Sequence, residues 1–148
     1  MKNNFIKVIF AVTALLMVGC SPDDEKSIVG NWNVQTFHYI HYDNIYDITE
    51  DETWDGENNY YDAAEFFDNG IMRWHLSDMF AELNGHTYDT LSWQINGDIL
   101  ILQHGPDSLG YVRWDYQIKE FTNSRLVIEW NRHENTYDEM QCYTLKRR

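Results

Sequence analysis

The chain has 148 residues, of which 43% are hydrophobic and 16% aromatic, and its net charge is −13. This length suits one compact domain, and its aromatic residues are bulky enough to fill a core. The acidic charge argues against nucleic acid and anionic lipid surfaces as partners, because like charges repel, and it favours cations and basic proteins.

The N-terminus has the pattern of an export signal. Lys2 and Lys7 give a positive start, residues 5–18 form an apolar stretch, and Gly19 precedes Cys20. The apolar run is too short to span a bilayer. Its ending, from Leu15 to Cys20, resembles the lipobox of bacterial lipoproteins. The resemblance implies that the signal peptide, residues 1–19, is removed and that Cys20 is acylated as a lipid anchor.

Residues 20–27 are predicted to form an acidic tether behind this anchor. The leader at 21–25 resembles the surface-export tag of some Gram-negative lipoproteins, which favours the outer membrane and its cell-surface side over the periplasmic face; a plain solvated spacer is the alternative. The signal holds Lys2, Lys7 and no acidic residue, so its removal changes the net charge from −13 to −15. Acylation of Cys20 leaves Cys142 without a disulfide partner, as an ordinary small apolar residue.

From Asn31 onward the chain alternates short β-rich runs with turns. Asn69-Gly70 and Asn96-Gly97 each separate two apolar runs, which is the strongest short-range hairpin signal. Eight strands are predicted at 32–41, 63–68, 71–76, 90–96, 98–104, 112–121, 125–132 and 139–147. Tight turns alternate with long connections, which predicts an all-β, eight-stranded, antiparallel up-and-down β-barrel with one closed and one open end. An open sandwich is the alternative.

One connection has helical spacing. Leu76, Met79, Phe80 and Leu83 fall at i, i+3, i+4 and i+7, with Ser77 or Asp78 as N-cap and Asn84-Gly85 as the stop. We predict one short helix there, either as a lid over the open end or as a plug in the core.

The opening Gly30-Asn31-Trp32 resembles the start of lipocalins. The runs Phe66 to Gly70, Trp93 to Leu100 and Tyr143 to Arg147 strengthen the likeness to the lipocalin-like domains of bacterial outer-membrane lipoproteins, over residues 28–148. The resemblance implies a β-barrel whose Trp32 packs across the closed end. The acidic segment after the first strand and the helix depart from the family pattern.

Strand parity identifies the inward side chains once one position is fixed. Taking Trp32 as inward, the interior set is Val34, Thr36, His38, Ile40, Phe66, Met72, Trp74, Leu91, Trp93, Ile95, Leu100, Leu102, His104, Trp114, Tyr116, Ile118, Leu126, Ile128, Trp130, Tyr143 and Leu145. Five of the six tryptophans are then interior. The candidate ligand-binding residues are His38, Trp74, Trp93, His104, Trp114, Tyr116 and Trp130. The alternative is that these rings simply fill the barrel.

Two sequence patterns are weaker candidates for a metal site. All six histidines are predicted at the open end, where an inward pair of His38 and His104 could hold a divalent metal or contact haem, although such histidines are more often polar strand ends that face water. Residues 51–62 partly copy a calcium loop through Asp51, Asp55 and Asp62. The third place is Thr, however, and no helices flank the segment, so we expect a solvated acidic loop, no metal and no cofactor.

No catalytic motif joins a nucleophile to a base, so we predict a non-enzymatic protein; a cryptic hydrolase using His38 or His104 is the residual alternative. Two functions remain. In the first, the barrel binds a small apolar or aromatic ligand beneath the open-end loops. In the second, the acidic loop 43–62 docks a basic protein partner and the barrel is an inert scaffold.

Overall fold

The computed structural model describes residues 27–107 and 110–148. This part of the chain contains nine strands and one α-helix: β1 (Gly30–Asp43), β2 (Ile48–Asp55), β3 (Tyr61–Phe66), β4 (Ile71–Leu76), α1 (Asp78–Asn84), β5 (Tyr88–Asn96), β6 (Ile99–Asp107), β7 (Gly110–Phe121), β8 (Arg125–His133) and β9 (Tyr137–Arg147). The predicted signal peptide, Cys20 and most of the predicted tether lie outside the described residues.

Eight of these strands close into an antiparallel barrel, as predicted. Strands β3 to β9 pair in chain order, and β1 closes the ring by pairing with β3 on one side and β9 on the other. Closure leaves each of the eight strands with two neighbours, which satisfies the backbone N–H and C=O groups that an open sheet would expose. The sandwich alternative is therefore wrong.

The acidic segment is not the predicted loop, because residues 48–55 form β2. This strand pairs with the outer half of β1, from Thr36↔Asp55 to Asp43↔Ile48, and extends the sheet past the rim of the barrel. Trp54 stacks on Phe37 with ring centroids 5.4 Å apart. That apolar contact gives the strand an anchored face, while its carboxylates remain in water.

Two other connections at the open end also differ from the prediction. Strand β6 ends at Asp107 and β7 begins at Gly110, and only residues 134–136 connect β8 to β9. Both are close hairpins rather than long loops. The long connection at this end is the α1 segment, residues 77–87.

The closed end is built around Trp32, which is fully buried. Its indole Nε1–H donates to the Ile28 carbonyl at 2.8 Å, and the Arg147 guanidinium lies over the ring at 4.5 Å from the centroid. The two Asn-Gly hairpins turn at this end through Gly70 and Gly97, whose φ values of 79° and 63° favour glycine.

Strand parity holds in most of the barrel but fails in the outer half of β1. A bulge between Val34 and Thr36 inserts one residue relative to β9. Phe37 therefore points inward and stacks on Tyr143 at 4.5 Å. The predicted inward direction of Thr36, His38 and Ile40 is wrong because a one-residue slip reverses every side chain beyond it. Ile95, at the end of β5, is also exposed.

Helix α1 has the predicted caps, with Ser77 at the N-cap and Gly85 in the left-handed conformation after the last turn. Phe80 packs on Tyr60 with centroids 4.6 Å apart, whereas Met79 and Leu83 are exposed. The helix thus packs at the outside of the barrel, and both the lid and the plug interpretations are wrong. Within residues 27–107 and 110–148, none of the helical segments is long and apolar enough to cross a membrane.

Candidate ligand-binding cavity

The barrel interior contains a cavity of about 400 Å³ towards its open end. Above the closed-end core, the layer of Leu91, Leu102 and Tyr116 forms its apolar floor and sides. The described lining residues are the aromatics Tyr61, Trp74, Trp114, Tyr116 and Tyr143, the aliphatics Leu91, Leu102 and Val112, and the polar residues Asp89, His104 and Gln141. The barrel is therefore not packed solid, and aromatic rings do not simply fill it.

The aromatic walls hold one another in fixed orientations. Trp74 stacks on Tyr61 at 5.1 Å and contacts Tyr143 at the same centroid distance. Tyr143 meets Tyr116 edge-on at 6.2 Å and Phe37 face-on at 4.5 Å. Rings that are packed on several sides have little rotamer freedom left to lose, so the aromatic walls of the cavity are preorganised.

One carboxylate belongs to the cavity wall. Asp89 lies beside Trp74 in the β4–β5 ladder, and its Oδ2 accepts a hydrogen bond from the Tyr61 hydroxyl at 2.8 Å. Its other oxygen, Oδ1, lies 2.8 Å from His86 Nε2. Hydrogen bonding to Asp89 raises the pKa of His86, because the anion favours the imidazolium. The Asp89 side chain is thus oriented from both sides.

The phenols of the wall are held in their neutral form. Burial raises the pKa of Tyr61, Tyr116 and Tyr143 above the usual value of 10.0. For Tyr61 the hydrogen bond to Asp89 adds to this effect, and for Tyr116 the negative charge of Glu139 does so. These hydroxyls therefore remain protonated at neutral pH and act as neutral polar groups in an aromatic wall.

Four of the seven sequence-predicted ligand residues meet at the cavity: Trp74, His104, Trp114 and Tyr116. Trp93 belongs to the closed end instead, where its Nε1–H points at the carbonyls of Phe67 and Ile71 at 3.0 and 2.9 Å. Trp130 packs against the core but is not part of the cavity lining. The rings of five tryptophans lie in the interior, as predicted: Trp32, Trp74, Trp93, Trp114 and Trp130. Whether any of them binds a ligand stays a prediction.

The third predicted residue outside the cavity is His38. Because of the β1 bulge, its ring lies on the outer face, where Nε2 is 2.8 Å from Asp51 of β2. The hypothesis of an inward pair with His104 is therefore wrong. The calcium-loop interpretation also fails on backbone grounds, since Asp51 and Asp55 lie in the extended β2 and Asp62 lies in β3. Among the described residues no group of three or more His, Cys, Asp or Glu is arranged to hold a metal.

Sequence reasoning missed four lining residues: Tyr61, Asp89, Val112 and Gln141. Parity from Leu91, Trp114 and Tyr143 reaches the last three of these positions. Asp89 was missed because β5 was predicted to begin at residue 90, and Val112 and Gln141 were overlooked although they lie within predicted strands. Tyr61 lies beyond an irregularity in the β3–β4 register, between Tyr61 and Ala63. No sequence pattern marks that irregularity.

Cys142 is half-buried on β9 and forms no disulfide within the described part of the chain. Burial raises the pKa of this thiol, and Glu129 adds to the effect. A raised pKa reduces the thiolate fraction, so the residue has the properties of the small apolar residue that the sequence indicates.

Comparisons with known proteins agree with this architecture. The model of a family described as a lipocalin-like domain matches residues 28–128. A comparison with curated proteins and one with solved structures each gave no match.

Proposed function

This chain belongs to the lipocalin-like domain family, and on that premise we propose that its barrel binds one small apolar or aromatic molecule in the open-end cavity. The observation that carries the proposal is the 400 Å³ cavity walled by preorganised aromatic rings. This volume lies in the range of small-molecule sites, which are mostly apolar with a few fixed polar groups. The polar groups here are Asp89, His104 and Gln141.

Ligand entry is tested by narrowing the cavity at its rim. Val112 lines the cavity and is 39% exposed, so a larger ring fits there without disturbing the closed-end core. Val112→Phe is expected to weaken the binding of neutral aromatic probes at least tenfold, measured by tryptophan fluorescence and by calorimetry. Ile95→Phe is the matched control, since Ile95 has the same exposure but lies at the closed-end hairpin.

Two outcomes contradict this proposal. In the first, a broad panel of apolar and aromatic probes produces neither heat nor a change in emission with the unmodified protein. In the second, Val112→Phe and Ile95→Phe bind the probes equally well, which places the bound molecule somewhere other than the cavity.

We also propose that the domain is anchored to the outer membrane through an acylated Cys20, with the cell surface as its location. The support is the lipobox-like run before Cys20 and the acidic leader that follows it. Multiple acyl chains on one residue hold a protein durably, whereas one chain does not. Cys20→Ser is expected to move the protein from the membrane fraction to the soluble fraction. Digestion of the domain by protease added to intact cells tests the surface location.

Docking of a basic protein is the second candidate function, and the position of β2 favours it. Among the described strands β2 pairs only with β1, so its other edge is free, and residues 48–53 are exposed. An edge strand with several carboxylates repels acidic chains and attracts basic ones. Docking of this kind is expected to weaken strongly between low and moderate ionic strength, whereas capture of a neutral apolar ligand is expected to change little.

A further inference from the structure

One carboxylate, Asp89, lines the cavity, and a second, Glu139, lies beside the lining residue Gln141. Asp89 is on β5, and its side chain is 29% exposed. Glu139 is on β9, two residues from the cavity residue Gln141, and therefore shares its face. In the closed order of eight strands, β5 and β9 are four strands apart, so the two carboxylates belong to opposite sides of the barrel.

Both carboxylates are positioned by neutral cavity residues. Gln141 Nε2–H donates to Glu139 Oε1 at 2.8 Å, just as the Tyr61 hydroxyl donates to Asp89. The Glu139 charge reaches the wall itself, because it contributes to the raised pKa of both Tyr116 and Tyr39. Glu52 lies opposite Tyr39 in the β1–β2 ladder and Glu50 lies opposite His41, and both act on the Tyr39 phenol in the same direction.

The arginine and the paired histidine of this region, Arg132 and His86, lie outside the described cavity lining. Arg132 lies opposite Glu139 in the β8–β9 ladder, but its guanidinium bonds Glu134 at 3.0 Å and lies over the Tyr137 ring. His86 pairs with Asp89, and His104 is the histidine of the wall. None of the described lining residues is Lys or Arg. The interior is thus suited to positive charge and poorly suited to a carboxylate or phosphate.

The aromatic walls add a second attraction for cations. Electron-rich faces of Trp and Tyr bind ammonium groups within about 6 Å of the ring, and more strongly when the site is shielded from water. Trp74, Trp114 and Tyr116 present such rings between the two carboxylates. A ligand with an apolar body and a cationic end would satisfy both features at once.

We propose that the molecule bound in this cavity carries a positively charged nitrogen, as an aromatic or alkyl amine does, and that Asp89 and Glu139 hold this nitrogen near the mouth. The inference rests on the proposed function and specifies its ligand class. The apolar part of the amine occupies the floor formed by Leu91 and Leu102, and the ammonium group lies between the carboxylates.

Three probes of similar shape test the ligand class: 4-phenylbutylamine, 4-phenylbutanol and 4-phenylbutanoate. At pH 7.5 and low ionic strength, the amine is expected to bind at least tenfold more tightly than the alcohol, and the carboxylate more weakly than both, as measured by calorimetry. Glu139→Gln is expected to reduce amine affinity by threefold or more and to leave alcohol affinity unchanged. Glu120→Gln, which removes the same charge near the closed end, is the control.

The outcomes separate this inference from the function on which it rests. If the alcohol or the carboxylate binds as tightly as the amine, or if Glu139→Gln weakens all three equally, the cavity binds ligands but the cationic class is wrong. If none of the three binds, both the ligand class and the ligand-binding function are contradicted. If Glu120→Gln reduces the preference for the amine as much as Glu139→Gln does, the preference comes from the overall charge of the protein. That result also overturns the inference.

Discussion

The buried tyrosines of the cavity wall give the domain an expected sensitivity to alkaline pH. Tyr116 and Tyr143 are only 5% and 7% exposed, and burial raises the pKa of both phenols above 10.0. A group whose pKa is raised in the folded state contributes stability that is fully present below the unfolded pKa. That stability is lost as pH rises above it, because the unfolded chain then releases the proton and the folded protein does not.

The size of the effect follows from proton linkage. Above pH 10, each phenol that stays protonated only in the folded state lowers the free energy of unfolding by about 1.4 kcal/mol per pH unit. The two buried phenols together give about 2.8 kcal/mol per unit, and Tyr61 adds to this. Over the first pH unit above 10 the loss is therefore about 3 kcal/mol, which is a large share of the whole stability of many domains.

Tyr143→Phe removes one of the two titrating groups and keeps the ring. Denaturant unfolding at pH 8 to 12, followed by circular dichroism, is expected to give a slope of stability against pH that is smaller by about 1.4 kcal/mol per unit above pH 10. Tyr46→Phe is the control, because Tyr46 is 72% exposed. Equal slopes for the two variants would mean that the interior phenols ionise as freely as a surface phenol, and the linkage argument would be refuted.

Two further substitutions probe the closed end. Trp32→Phe removes the indole donor to the Ile28 carbonyl and part of the ring surface beneath Arg147. The free energy of unfolding is expected to fall by roughly 2–4 kcal/mol, because the acceptor is left unsatisfied and volume is lost. An unchanged urea midpoint would contradict the packing role of this ring. Gly97→Ala meets no atom within 4 Å but must adopt a φ of about 63°, so a cost of roughly 1–2 kcal/mol is expected from backbone strain alone. Gly105→Ala, also free of contacts within 4 Å but without a positive φ, is the comparison for thermal melting, and an equal shift in both variants would exclude backbone strain as the cause.

Much of the fold was predictable because the signals that specify it are local. The Asn-Gly turns at residues 69–70 and 96–97 and the caps of α1 depend on a few neighbouring residues and the conformations that those residues favour. The number and length of the strands then favoured closure, since a closed barrel leaves no free edge among its eight members. Trp32 at the closed end followed from the family resemblance, and the structure places it there.

The site was only partly predictable because its composition depends on register. Parity placed Trp74, Trp114, Tyr116 and His104 inward, where they do line the cavity. It misplaced His38, since the extra residue after Val34 arises from the pairing of β1 with β9, more than 100 positions away. The acidic segment was misread for a similar reason: β2 is stabilised by its ladder with β1 and by the stacking of Trp54 on Phe37.

The sequence by itself thus determined which residues turn, which alternate and which aromatic groups the interior has to contain, because those properties are set by neighbours along the chain. Only the tertiary structure decided that the rings leave a cavity of about 400 Å³ rather than a solid core, and that Asp89 and Glu139 belong to opposite sides of the barrel. Both depend on how far apart the closed barrel holds its opposite walls, and that distance is a property of the whole ring of strands.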